Sequence, residues 1–170
     1  MELHSVPKEM LIVTDHLRSL MCWYVSCGGA AGPTFQLALG DKVPRSVPLK
    51  NMMHSETYRH FEGSANLLVW CTWRLDDATA PITSSDDETS SIERGLAKLA
   101  GAAVYEATVV PPAWDLTVQF SNGYRLSVFC DHLPGQPSFD GNWELVSRSH
   151  ALYVGPGSKY SVHERVEKKE

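Results

Sequence analysis

Residues 115–129 read Asp-Leu-Thr-Val-Gln-Phe-Ser-Asn-Gly-Tyr-Arg-Leu-Ser-Val-Phe. Leu116, Val118 and Phe120 alternate with polar residues, and so do Leu126 and Val128. Period-two alternation marks strands with one buried face. Asn122-Gly123 stands between the two runs, and Asn-Gly between alternating runs is the strongest short hairpin signal. The stretch is therefore an antiparallel hairpin, and antiparallel pairing organises the rest of the chain.

Upstream, Ser90-Ser91-Ile92-Glu93 has the capping-box pattern, with Ile92, Leu96 and Leu99 along one helical face and Gly101 as a stop. Further strands are expected at about 103–110, 142–147 and 150–154, flanking the hairpin runs at 115–120 and 124–130. The N-terminal part repeats the theme. Leu3, Val6, Met10, Val13, Leu17 and Leu20 form a helical stripe. It predicts a helix over 7–20, with Ser5 as cap and Pro7 in the first turn. Strands are expected over 21–27, at Phe35–Leu39, over 57–62 and, as one strong run, over 66–75. Gly28 to Pro33, 40–55 and 131–141 read as loops.

The two halves resemble each other. Leu17-x-x-Leu20 and Phe35-x-Leu37-x-Leu39 match Leu96-x-x-Leu99 and Leu116-x-Val118-x-Phe120, at separations of 18 and 20 residues. Val25 parallels Val104. Val69-Trp70-Cys71 parallels Val128-Phe129-Cys130, and Trp73-Arg74-Leu75 parallels Trp143-Glu144-Leu145. We expect one α+β domain over 1–170, with a mostly antiparallel sheet of about eight strands and two helices packed on one face. It would be built as two helix-plus-meander halves at about 5–75 and 90–154, joined by an acidic linker over 76–89 and followed by a polar tail over 155–170 with room for one more short strand. One helix on a short meander cannot bury both faces, so two units share a core.

Composition narrows the function. With 43% apolar and 21% charged residues the chain is too apolar to be disordered. No apolar run approaches the roughly 18 residues that span a bilayer. The four cysteines stand among apolar neighbours, and Cys22-x4-Cys27 is looser than a zinc pair. No secretory or lipidation signal is legible, and a reducing cytoplasm is the expected location. No cofactor is expected. The net charge is −5, and six acids without a base lie between Asp76 and Glu93; outside that stretch fifteen bases face 20 − 6 = 14 acids. Such a stretch argues against nucleic acid and for a basic protein partner. Asp76, Asp77, Asp86, Asp87 and Glu88 are the candidate contacts. Trp114, after Pro111-Pro112, is the candidate aromatic contact. Trp70 and Trp73 are three apart and should face opposite sides of a strand.

Catalytic signatures are missing from the sequence: there is no G-x-S-x-G, Walker A loop or H-E-x-x-H. His54 and His60 with Glu56 and Glu62 are conceivable as a metal or acid-base cluster. Cys130, Asp131 and His132 form a conceivable nucleophile set, and the clustered acids lack the calcium-loop pattern.

The segment Asp-Leu-x-Val-x-Phe-x-Asn-Gly-x-x-Leu-x-Val-Phe at 115–129, with Asn142-Trp-Glu-Leu145, resembles small bacterial proteins, some similar to immunity proteins of polymorphic toxins. The resemblance covers about 90–155 and implies a cytoplasmic, non-enzymatic protein that binds a partner. A basic toxin domain such as a nuclease would suit the acidic segment. Two alternatives are carried: a small-molecule site or unrecognised enzyme with a pocket between helices and sheet, and an oligomerisation module, with which a homodimer is compatible.

Overall fold

The computed structural model describes residues 5–28, 31–135 and 141–166, so parts of the expected loops at 28–33 and 131–141 lie outside the described residues. Helix α1 (Lys8–Asp15) leads into β1 (Cys22–Cys27), β2 (Phe35–Pro44), α2 (Glu56–His60) and β3 (Phe61–Val69). There follow β4 (Thr72–Asp76), β5 (Pro81–Ser84) and α3 (Thr89–Leu96), which a 3-10 turn extends over Ala97–Leu99. The remainder is β6 (Val104–Val110), β7 (Asp115–Phe120), β8 (Arg125–Phe129), β9 (Trp143–Ser147), β10 (His150–Val154) and β11 (Tyr160–Glu164).

The fold is α+β with two antiparallel sheets. The six-stranded sheet has the order β1-β2-β3-β9-β10-β11 and the five-stranded sheet β5-β4-β8-β7-β6. The described residues thus hold eleven strands and three helices, more than the eight and two expected. The additional strands are β5 and β11 and the additional helix is α2. A further departure lies at 66–75. The run has no Gly or Pro and reads as one strand, yet β3 ends at Val69 and β4 begins at Thr72 in the other sheet. The Trp70 and Cys71 amides both turn to the Asn142 carbonyl, at 2.9 and 3.3 Å. A distant main-chain acceptor thus breaks the strand where local propensity would continue it.

The helices do not share one face. Helix α1 contacts β6 of one sheet and β10 of the other, and α3 contacts β5 and β1. Each seals a flank between the sheets. Between them lies one buried cluster that takes Leu37, Leu67, Trp143 and Leu152 from the six-stranded sheet, Trp73, Leu116 and Leu126 from the five-stranded one, and Met10, Val13, Ile92 and Leu96 from the helices. Each such side chain contributes roughly 1.5–3 kcal/mol by leaving water.

Other expectations shift locally. Helix α1 stops at Asp15, although Leu17 is still buried. Its N-cap is Pro7, so Ser5 caps nothing. In α3 the N-cap is Glu88, whose carbonyl takes the Ser91 and Ile92 amides. The helix starts two residues early, and Ser90 falls inside it, so no capping box forms. Residues 57–62 open as α2, with the Ser55 hydroxyl accepting from the Tyr58 amide, and only then become β3. Strand β2 runs on to Pro44, into the expected loop. The stretch 76–89 is no free linker, because β5 within it pairs with β4. In the tail, β11 pairs with β10. The Asn122-Gly123 hairpin is present as read, with Gly123 at φ +88°.

The registers of the two meanders match closely. Strand β1 has a bulge between Cys22 and Tyr24 where it pairs with β2, and β6 has one between Val104 and Glu106 where it pairs with β7. Trp73 lies opposite Val128, and Trp143 lies opposite Val69. Each indole N–H donates to a carbonyl just ahead of the second strand of a meander. Trp73 uses Pro33 at 2.8 Å, and Trp143 uses Trp114 at 3.0 Å.

Candidate protein-binding site

The acidic residues divide by role. Asp76 is 6% exposed, and its carboxylate accepts from Arg74 Nε at 2.7 Å and Nη2 at 3.2 Å and from Arg125 Nη2 at 3.4 Å. The Arg74 hydrogen bonds hold its carboxyl below the usual range; burial opposes them and Arg125 assists. A lowered folded pKa means that the ionised form favours the fold. That contribution is complete above the ordinary carboxylate value, about 4, and disappears as the pH falls through the folded value. Asp76→Asn is expected to cost about 1 kcal/mol at neutral pH, since both arginines are solvent-screened. Urea titrations should show the difference from the parent protein shrinking below about pH 4.

Asp77 closes the β4–β5 turn, its Oδ1 accepting from the Thr79 amide and hydroxyl and from the Ala80 amide. Those two amides chiefly hold its carboxyl low. Asp87 accepts from the Thr83 hydroxyl at 2.9 Å and the Ser84 amide at 3.2 Å, fixing the turn before α3. Asp86 and Glu88 are exposed, and their carboxylates take no hydrogen bond among the described residues. Trp114 is half-buried, at φ +66°, with its ring edge-on to Tyr160 at 5.6 Å. Its carbonyl receives the Trp143 indole and the Cys130 thiol. It is a packing and main-chain position more than an open contact.

The sequence reading passed over a cleft of about 210 Å³ between α3 and edge strand β1. Glu93, Ala97 and Ala100 line it from the helix side, and Trp23, Tyr24, Val25 and Cys27 from the strand. The signal was legible: i, i+4, i+7 spacing puts Glu93, Ala97 and Ala100 on one helical face. Gly28 suits this position because its φ is +85°, a conformation in which other side chains are strained. Burial, with the Glu93 charge as second cause, pushes the Cys27 thiol up. Lys42 lies 5.4 Å from the Trp23 ring centroid, so this aromatic already attracts a cation. Tyr24 stacks on Tyr58 at 4.2 Å, and its hydroxyl meets His54 Nδ1 at 3.3 Å.

No protein-family model, curated protein or solved structure matches the chain. Among the described residues no three His, Cys, Asp or Glu side chains converge as a metal site. His54 instead packs against Tyr58 at 5.0 Å. The Cys130, Asp131 and His132 side chains turn to different partners. The Asp131 carboxylate takes the Thr72 amide and hydroxyl, the Cys130 thiol meets the Trp114 carbonyl, and His132 Nδ1 donates to the Gly141 carbonyl. No relay forms. Trp70 and Trp73 do not share a strand as expected, because Trp70 lies at the crossover between β3 and β4 and Trp73 within β4. Trp73 is fully buried, while Trp70 is half-buried and edge-on to Tyr153 at 6.2 Å. A groove of about 500 Å³ includes Glu62, Ser64, Asn66, Arg148 and Arg165 in its lining. No helix among the described residues is long and apolar enough to cross a membrane.

Proposed function

We propose that the chain is a non-enzymatic binding protein that docks a basic protein partner at the corner formed by the β5–α3 turn and the α3–β1 cleft. One observation carries the reading. Exposed Glu93 lines the cleft together with Trp23 and Tyr24, and the exposed acids Asp86 and Glu88 immediately precede α3. Glu88 and Glu93 are five residues apart, about 7.5 Å along a helix axis. A lysine or arginine entering the cleft would meet an aromatic face and a carboxylate together. Outer acids would steer its approach. An immunity-like role against a basic toxin domain fits this chemistry, and a cytoplasmic location fits its unpaired thiols.

The duplicated architecture belongs to the same proposal. Its support is the pair of bulges at corresponding registers and the two indole hydrogen bonds described above. An isolated antiparallel bridge between Met21 and Ala103 adds to it, since each stands immediately before the first strand of its half. The register pairs Cys22 with Leu39 and Val104 with Phe120, so Cys22 corresponds to Val104 better than Val25 does.

The test uses three charge-neutral changes that leave the structural acids alone: Asp86→Asn, Glu88→Gln and Glu93→Gln together. The parent protein, immobilised, should retain a basic protein from source-cell lysate at low salt and release it at high salt. The triple variant should retain at least tenfold less of that same protein. Equal retention by parent and variant, or retention indifferent to salt, overturns the reading.

A further inference from the structure

We infer that Cys71 and Cys130 are a facing dithiol that closes into a disulfide when a hydroperoxide oxidises it. The register carries this. Antiparallel strands β4 and β8 pair Thr72 with Phe129 and Trp73 with Val128, so the next positions, Cys71 and Cys130, stand opposite each other. Neither amide reaches across. Cys71 donates to the Asn142 carbonyl and Cys130 to Asp115 Oδ1. The pair is therefore of the non-hydrogen-bonded kind, where facing Cα atoms are about 4.5 Å apart, within the span that a disulfide bridges. Alternation puts both thiols on the face of Trp73 and Val128, and both pack on the same buried cluster.

Their environments differ usefully. Cys71 is 2% exposed, while Cys130 is only half-buried. The neighbouring Cys130 side chain, then burial, pushes the Cys71 thiol far above its ordinary value. Cys130 is thus the sulfur that meets the oxidant, and Cys71 the one that resolves it. In the first step the deprotonated Cys130 sulfur attacks a peroxide oxygen. An S–O bond forms, the O–O bond breaks, and the departing oxygen takes a proton. In the second, the Cys71 sulfur attacks the Cys130 sulfenic sulfur. The S–S bond forms, the S–O bond breaks, and hydroxide leaves with the Cys71 proton as water. Two thiols lose two electrons and two protons, and the peroxide oxygens end as water or, for an organic peroxide, water and alcohol.

The position gives the bond a consequence. Cys71 lies where the chain leaves β3 for the other sheet, and Cys130 lies where it leaves β8 toward β9. A cross-link would tie these two crossovers together. Full-length protein treated with hydrogen peroxide should lose two hydrogens by intact mass. Peptide mapping should join the Cys71 and Cys130 peptides and leave Cys22 and Cys27 as thiols. The oxidised form should melt about 5 °C or more above the reduced form. Cys71→Ser should abolish the cross-link and leave Cys130 open to a sulfenic-acid probe. If that variant fails to fold, the peptide map of the parent protein decides alone. A cross-link between other cysteines, or Cys130 overoxidised while Cys71 remains a thiol, overturns the inference.

Discussion

Trp73→Ala is expected to destabilise the protein by about 4 kcal/mol, the largest single-residue effect we anticipate. The side chain is fully buried between the sheets, with Phe35 edge-on to its ring at 5.0 Å. Truncation removes a large apolar volume from a packed interior that cannot collapse around the gap. It also strips the Pro33 carbonyl of its indole donor. Trp73→Phe separates the two losses: it keeps most of the volume and should cost about 1–2 kcal/mol, chiefly for the hydrogen bond. Denaturant titration of parent, Phe and Ala proteins checks the order. With a total stability of roughly 5–15 kcal/mol, the Ala variant should be largely unfolded in mild denaturant. Trp143→Ala should match it, since Trp143 is equally buried and makes the corresponding bond to Trp114. An Ala variant within about 1 kcal/mol of the parent would contradict this account of the core.

Asn142→Leu is the second large effect, expected to cost about 3 kcal/mol. Asn142 is fully buried and makes hydrogen bonds through all of its polar groups. Its amide donates to the Val154 carbonyl, and its carbonyl takes Trp70 and Cys71. Its side chain accepts from the His132 amide at 3.0 Å and donates to the Gly155 carbonyl at 2.9 Å. Leucine is similar in size, so it leaves little void. It removes both side-chain bonds, and each buried group so deprived costs about 1–3 kcal/mol. Hydrogen exchange gives the specific readout. The His132 amide should lose protection first, and the Trp70 and Cys71 amides should follow as the crossover loosens. Unchanged exchange at these three amides would show that the side chain does not organise the crossover.

The candidate site was legible in charge and illegible in role. The sequence shows where the excess acid lies, because composition needs no geometry. It cannot show that Asp76, held chiefly by Arg74 two residues before it, is also bridged by Arg125, 49 residues away, or that Asp77 and Asp87 are engaged in turns. Turn chemistry was partly readable: Asp77 with Thr79 two residues on is a common self-bonding pattern. The cleft beside Trp23 needed both the helical face of Glu93 and the knowledge that α3 lies against β1, and only the first is local.

By itself the sequence determined the antiparallel character, the strands between 104 and 154 within a residue or so and the Asn122-Gly123 hairpin. These follow from period-two alternation and from a turn that needs a positive φ, both properties of a few adjacent residues. Only the tertiary structure decided that the run 66–75 is two strands in two sheets, that the helices seal flanks instead of covering a face, and that Cys71 meets Cys130. The reason is the same in each case. A β-strand's hydrogen bonds are made with other segments, so where it ends and which sheet it joins depend on partners far along the chain. At residues 70 and 71 that partner is the backbone carbonyl of Asn142.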